Sequence, residues 1–285
     1  MSATNASRSL CTMLWVVLAL VLPCYSAELK PVRPRQIRIP VWADAPLNAM
    51  DLRATLDGSD ARVLGIRGPD DDLMLLIVLD LAGDPSFVEP AREALVSEIR
   101  KLPPRTVVGL LRAQDGLRVV ANPTADHESL AQAIGALPVS GKAGLLDTIE
   151  AAGRIADSIL AKTTVRVALL YISDSDVANY LEDFTNPVIN SSDSHDLSRR
   201  FPETLVQEKI SQIESALAGQ QTPIFLVHLS DRTDRINDAY QNGLKQLAET
   251  TGGTATLCRS SGEVPAAIEK LFSLIGAHYS VTLAL

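Results

Sequence analysis

The sequence predicts an α/β fold: a doubly wound, mostly parallel six-stranded sheet with one antiparallel edge strand, helices on both faces and a small β-segment in front. Three observations carry this. From residue 73 onward, near-continuous apolar runs of strand length recur, as expected of strands covered on both faces. Between most of them lie longer stretches with helical spacing of apolar residues. One pair of runs is joined only by the tight turn Gln114-Asp115-Gly116, which makes that pair an antiparallel hairpin.

Taken in order, residues 1–27 hold Arg8, the apolar run "LCTMLWVVLALVL" and the small residues of "CYSA", the pattern of a secretory signal peptide. The run from Leu10 to Leu22 is short of the roughly 20 residues a membrane span needs, so the mature chain is expected to have no span. Pro23 sits where a lipoprotein processing site wants a small residue, which argues against an anchor on Cys24. Residues 28–72 read as a Pro-rich basic linker followed by short β pieces, "IRIPVWA" and "ARVLGI", around an Asp57-Gly58 turn. This is too little for a core of its own and should pack on the larger domain C-terminal to it.

The main domain is expected over residues 73–277. Its strands are "LMLLIVLDL", "TVVGLLRA", "LRVVANP", "VRVALLYIS", "TPIFLVHLS" and "GTATLCR". Its helices are "EPAREALVSEIRKL", "DHESLAQAIGAL", "GLLDTIEAAGRIADSILA", "ETLVQEKISQIESALAG", "RINDAYQNGLKQLAETT" and "EVPAAIEKLFSLIGA". In the third helix Leu145, Ile149, Ala152 and Ile155 are expected on one buried face. Parallel strands joined through helices require right-handed crossovers. A polar segment without period, residues 174–202, comes after the fourth strand, and loops of that length are usually functional or disordered. Residues 278–285 form a closing strand; "YSVTLAL" stops inside an apolar run, which leaves a truncated chain or pairing with another chain open.

The chain carries 26 basic and 34 acidic residues; without residues 1–27 it loses one Arg and no acid, for a formal charge of −9. An acidic surface of this size argues against nucleic acid and anionic membranes as partners. Beyond the leader only Cys258 remains, so no internal disulfide is expected, and "TATLCRS" reads as a buried strand thiol.

Several chemistries lack their residues. No "GxGxxG" follows a strand, and "VSGKAG" has the Gly-Lys of a phosphate loop without the correctly spaced earlier glycine or the following hydroxyl. There is no "GxSxG", and His127, His195, His228 and His278 show no ligand spacing; His228, inside "FLVHLS", reads as a satisfied structural residue. A phosphatase of the aspartyl type would need an acid at Ala82.

What remains is a set of carboxylates that an open α/β sheet would gather beyond the carboxyl ends of its strands, where strand order reverses. Asp80 and Asp84 leave the first strand there, Asp174 and Asp176 the fourth, and the turn "VSGKAGLLD" with Asp147 opens the third helix over the same crevice. With the element order and the Gly-rich turn before "LLDTIEAA", this constellation resembles the von Willebrand factor A domain over residues 73–277. The upstream "DLRATLDGSDARVLGI" and the closing "HYSVTLAL" are similar to segments flanking that domain in secreted bacterial relatives of acidobacterial type. The resemblance implies a metal-ion-dependent adhesion site built from Asp-x-Ser-x-Ser, a later Thr and a distal Asp. Carried onto this chain, the metal ligands are Asp80, Asp84 and Asp174, and the site is degenerate. Ala82 and Ala143 replace two hydroxyls and Asp84 replaces a third.

Three states of this cluster stay open. It holds a divalent cation, calcium or magnesium, on carboxylates alone, calcium being the more tolerant of such a set. Or Lys142 places its ammonium among the acids. Or no cofactor binds, Asp84 points to solvent or caps the next helix, and Asp80 and Asp174 accept backbone N–H groups. "PDDDL" at 69–73 reads as a solvated loop and Trp42 as packing for the β-segment.

The function expected is that of a secreted or periplasmic, non-enzymatic protein-binding module acting through the carboxyl-end rim of the sheet. Lys142, Asp176, Arg199 and Arg200 would be its partner-binding residues, and metal dependence would be altered or lost. A scaffold with a decayed metal site is the alternative. A metal-dependent hydrolase is weakest, for want of a nucleophile and base.

Overall fold

The computed structural model describes residues 36–50, 52–81, 83–177 and 202–284. Residues 1–35 (with Cys24), Asp51, Ala82, residues 178–201 (with Arg199 and Arg200) and Leu285 lie outside these, and with them the expected signal segment and linker.

Strands β1 (Gln36–Val41), β2 (Ala54–Leu56) and β3 (Ser59–Arg67) come first, then β4 (Leu73–Asp80) and helix α1 (Pro85–Lys101). The hairpin β5 (Thr106–Arg112) and β6 (Arg118–Thr124) leads into α2 (His127–Ala136), α3 (Leu145–Lys162) and β7 (Arg166–Ser173). Helix α4 (Pro202–Leu217), β8 (Ile224–His228), α5 (Arg235–Thr250), β9 (Ala255–Leu257), α6 (Val264–Ala277) and β10 (Tyr279–Ala284) complete the order.

The six-stranded sheet runs β6-β5-β4-β7-β8-β9, and β6 is its one antiparallel strand. All eight residues of β7 are buried, and so are all of β4 except Met74, which explains their unbroken apolar sequence. The hairpin turn has positive φ at both Asp115 (55°) and Gly116 (97°), the backbone twist that lets two strands fold directly back on each other.

Strand period two divides the core into layers. Leu75, Ile77 and Leu79 of β4 join Ala168, Leu170 and Ile172 of β7 under α1, α2 and α6. Leu76 and Val78 join Val167, Leu169 and Tyr171 under α3, α4 and α5. On α3 the buried stripe is Leu145, Ile149, Ala152, Ala156 and Leu160, whereas Ile155 is 40% exposed. At 100° per residue Ile155 stands about 80° away from Leu145 and Ala156 only about 20°. The expected face therefore continues through the alanine.

A second, antiparallel sheet runs β1-β10-β3-β2. The closing strand is thus an interior strand, paired with β1 from Gln36↔Ala284 to Val41↔Tyr279 and with β3 on its other side. Trp42, just past β1, fixes this sheet to the core. Its ring meets Phe225 edge-on with centroids 6.1 Å apart, and its indole N–H donates to the Leu274 carbonyl at 2.9 Å.

Arg166, the first residue of β7, is 2% exposed and was not singled out by its sequence context. Its guanidinium donates to the carbonyls of Gly276 and His278 (both 2.9 Å) and of Pro69 (2.9 Å) and Asp71 (3.0 Å). Burial lowers its pKa, with the Asp71 charge acting in the opposite direction. Removing it strands the buried His278 carbonyl and three part-buried ones. Arg166→Ala is expected to cost about 3 kcal/mol or more, and Arg166→Lys, with a single three-donor ammonium, to recover only part of that in urea unfolding.

Candidate functional site

The order β5-β4-β7 places the topological switch of the sheet between β4 and β7, and Asp80 pairs with Ser173 at its carboxyl end. Strand alternation turns Asp80 to the same side as Leu76 and Val78, towards α3. That helix begins at Gly144, which has no side chain to cap it. Asp80 supplies the cap from the strand: Oδ1 accepts the Gly144 N–H (2.9 Å) and Oδ2 the Leu145 N–H (3.0 Å). The Ser175 and Ser173 hydroxyls also donate to Oδ2, at 3.0 and 3.2 Å. The approach depends on Gly144, since a Cβ there would lie 2.0 Å from the Ala113 carbonyl oxygen.

Asp80 is fully buried. Burial pushes its pKa up to about 6, against the hydrogen bonds from Gly144, Ser175 and Leu145, while the neighbouring Asp174 charge adds to the rise. Thr148 continues the network, donating to the Gly144 carbonyl (2.6 Å) and meeting the Tyr171 hydroxyl at 3.1 Å.

The other sequence-selected residues are dispersed around this carboxylate. Asp84 is the N-cap of α1, accepting the Ser86 N–H at 2.8 Å, and those hydrogen bonds lower its pKa. Asp174, 8% exposed, accepts the Gly83 N–H at 2.8 Å. Asp176 is 5% exposed and pairs with Arg232 Nε at 2.8 Å. The Arg232 backbone is clamped on both sides by the Gln241 amide, each bond 2.7 Å. Lys142 is exposed, and its backbone is tied to the hairpin turn, donating to Asp115 Oδ1 (2.9 Å) and accepting the Asp115 N–H (3.1 Å). Ala143 is buried in the core beside Leu145. Asp147, in the first turn of α3, pairs with Lys209 at 3.2 Å.

Reading the acids alone in "YISDSD" passed over Ser173 and Ser175, which supply the two hydroxyls on Asp80. Asp115 was visible only as a turn residue, and Gln241 and Arg232 had no sequence signal beyond their residue types. Among the described residues no group of three or more His, Cys, Asp and Glu side chains is arranged to hold a metal ion. A carboxylate offers about four lone-pair sites. Four protein donors reach the Asp80 carboxylate, three on Oδ2 and one on Oδ1, two of them backbone N–H groups with no role as metal ligands, and the Ser173 and Ser175 hydroxyls also meet each other at 2.7 Å.

No protein-family model matches the sequence, and no curated protein matches it. Solved structures do. A von Willebrand factor type A protein from Catenulispora acidiphila superposes with a TM-score of 0.51 at 13% identity, covering 71% of this chain and 42% of its own. The chain has the von Willebrand factor A fold. It spans under half the length of that similar protein. Other solved structures align less closely. The domain of the pilus tip protein Mfa5 from Porphyromonas gingivalis gives 0.47 at 13% identity, over 72% of this chain and 95% of its own. Proximal thread matrix protein 1 of the mussel byssus, whose adhesion motif holds zinc, gives 0.49 at 10% identity, over 76% and 48%.

Within this von Willebrand factor A fold two further buried groups titrate. His228 ends β8 beneath the rim, stacks edge-on against Tyr240 at 5.8 Å, and finds no hydrogen-bond partner for either ring nitrogen among the described residues. It is a neutral ring, and the nearby Ser173 and Ser230 carbonyls act against the effect of its burial. Burial pushes it down to about 4, as it does His278, whose Nδ1 faces the Ile275 carbonyl at 2.7 Å.

In the unfolded chain these histidines take their protons near pH 6.5 and in the folded chain only near 4. Their stabilisation is therefore full above pH 6.5 and is lost as pH falls to 4. Asp80 acts oppositely, because the folded form holds its proton from about pH 6 down to the ordinary 3.8. Stability should therefore drop between pH 6.5 and 4, and drop more steeply in Asp80→Asn, by denaturation at each pH. At pH 7, Asp84→Ala should lower the urea midpoint by a smaller step than Asp80→Ala, through loss of the α1 N-cap. Asp80→Ala, which strands buried donors, should cost about 2–4 kcal/mol.

Proposed function

We propose that the protein is an exported, non-enzymatic protein-binding module that engages its partner through the carboxyl-end rim of the sheet without a divalent cation. The observation that carries the cation-independent reading is the commitment of both Asp80 oxygens to protein donors. They accept from the α3 N-terminus and from serine hydroxyls, so protein donors hold the crevice together where a metal would otherwise be needed. Asp84 is committed to capping α1, and Ala143 offers only a methyl group.

The fold itself supports an interaction module in general terms. Export rests on the leader-like sequence of residues 1–27, and no helix of the described residues is long and apolar enough to cross a membrane. The charges offered to a partner are Lys142 and Arg232, with Asp176 behind the latter, together with Arg199 and Arg200 in the segment between β7 and α4. The Arg232 side chain is 55% exposed while that of Asp176 is 7% exposed, so a partner meets the guanidinium first.

The test is capture of partners by the immobilised chain, run with chelator and with magnesium or calcium, beside calorimetric titration of both ions. The partner set should be the same in chelator, with no saturable heat from either ion. It should be lost in Lys142→Glu and Arg232→Glu. Loss in chelator would overturn the cation-independent reading. Retention in both rim variants would favour the scaffold alternative, in which contacts lie on the helices or terminal strands.

A further inference from the structure

The second sheet turns one face to the protein's interior and leaves the other partly open beside the start of β7. Two rows of directly paired residues cross it. Arg38 of β1 faces Thr282 of β10, which faces Gly65 of β3; in the next row Pro40 faces Ser280, which faces Arg67. These rows contribute Arg38, Gly65, Arg67, Ser280 and Thr282 to a groove of about 400 Å³ whose far wall includes Thr164. The groove exists because Gly65 has no side chain: a Cβ there would meet nothing within 4 Å. The pairing of β10 with β3 shifts register beside it, between Thr282 and Leu283, an irregularity that redirects neighbouring side chains.

The chemistry of the groove is one-sided. Arg38 and Arg67 stand on a diagonal across three strands, about 12 Å apart at Cα from strand spacing and rise, within reach of a common ion for two arginines. Neither neutralises the other. Burial and the Arg67 charge both lower the pKa of Arg38. Arg38 spends Nη2 on the Thr163 carbonyl (2.6 Å), and Arg67 makes a long, exposed contact of 3.5 Å with Asp71. Between them Ser280, 7% exposed, makes no side-chain hydrogen bond with the described residues. The Ser280 hydroxyl lines the groove and is free to donate to whatever enters it between the two like charges.

We propose that this groove binds a small ligand bearing an oxyanion, a carboxylate or a phosphate monoester, held between the Arg38 and Arg67 guanidinium groups with the Ser280 and Thr282 hydroxyls donating to the same oxygens. Guanidinium forks match both anion types, and the volume leaves room for the group that carries the charge. The site lies away from Asp80 and stands or falls independently of the rim.

The experiment titrates the full chain calorimetrically with inorganic phosphate and, separately, with succinate, in chloride buffer at constant ionic strength. Saturable one-to-one binding of at least one probe is expected, and the tighter arm names the source of the oxyanion. Arg67→Gln should weaken it at least ten-fold. Gly65→Val, which fills the groove without removing charge, should abolish it while leaving the melting temperature near that of the parent. Arg154→Gln, an equal loss of charge on α3, should bind as the parent does. Arg38→Gln also removes the bond to Thr163, so the two β3 variants are decisive. A linear, unsaturable response to both probes would overturn the proposal, as would parental affinity in Arg67→Gln and Gly65→Val.

Discussion

A buried guanidinium holds the two sheets of this protein to each other. Arg166 begins a fully buried strand and distributes its donors among carbonyls from two separate stretches: the connection between β3 and β4, and the passage from the end of α6 into β10. Desolvating a cation is costly, and this one is repaid in dipoles, with four carbonyl oxygens in fixed positions. Because those carbonyls sit where the chain passes from one element to the next, the cation defines its path there. The second sheet can form only where these connections lead.

The opposite end of the same strand pair is organised by a charge of the other sign. Asp80 ends β4 as Arg166 begins β7, and where the cation gathers carbonyls the anion gathers N–H groups and hydroxyls. Two buried charges of opposite sign, one at each end of the central pair, fix the loops at both rims without touching each other. Between them the sheet is almost purely apolar. Position along the strands is then set at the ends, where directional bonds are made, since apolar packing is non-directional.

The central sheet was legible in the sequence because its inner strands are buried runs with a helix or a Gly-containing turn after them, and such periodicity survives tertiary context, while the edge strand β6, apolar in sequence at Val119 and Val120, is largely exposed. The face of α3 was legible except at Ile155, where hydrophobicity and helical angle disagree and angle prevails. The candidate site was less legible. Its acids were visible as the residues at strand ends, but what each carboxylate does depends on which N–H groups the fold delivers to it. Asp80 and Asp84 look alike in sequence and differ entirely in burial and partners. Arg166 was invisible for the same reason: an arginine at a strand start is ordinarily exposed, and its four acceptors come from residues 69 to 71 and 276 to 278. The serines of "YISDSD" show the remaining gap, in that hydroxyls expected at two positions of one loop are provided from another.

The place of β10 inside its sheet has a consequence for how the chain comes to be folded. Its neighbours β1 and β3 are made first, more than 200 residues earlier, and they do not pair with each other. Until β10 emerges, each holds an unsatisfied edge of the kind that recruits foreign strands. The central sheet can close in the meantime, since all of its strands precede β10. The second sheet is therefore a late clasp, whose two flanking strands wait for the last one. A chain stalled before that step would carry a finished core and an adhesive, unfinished front.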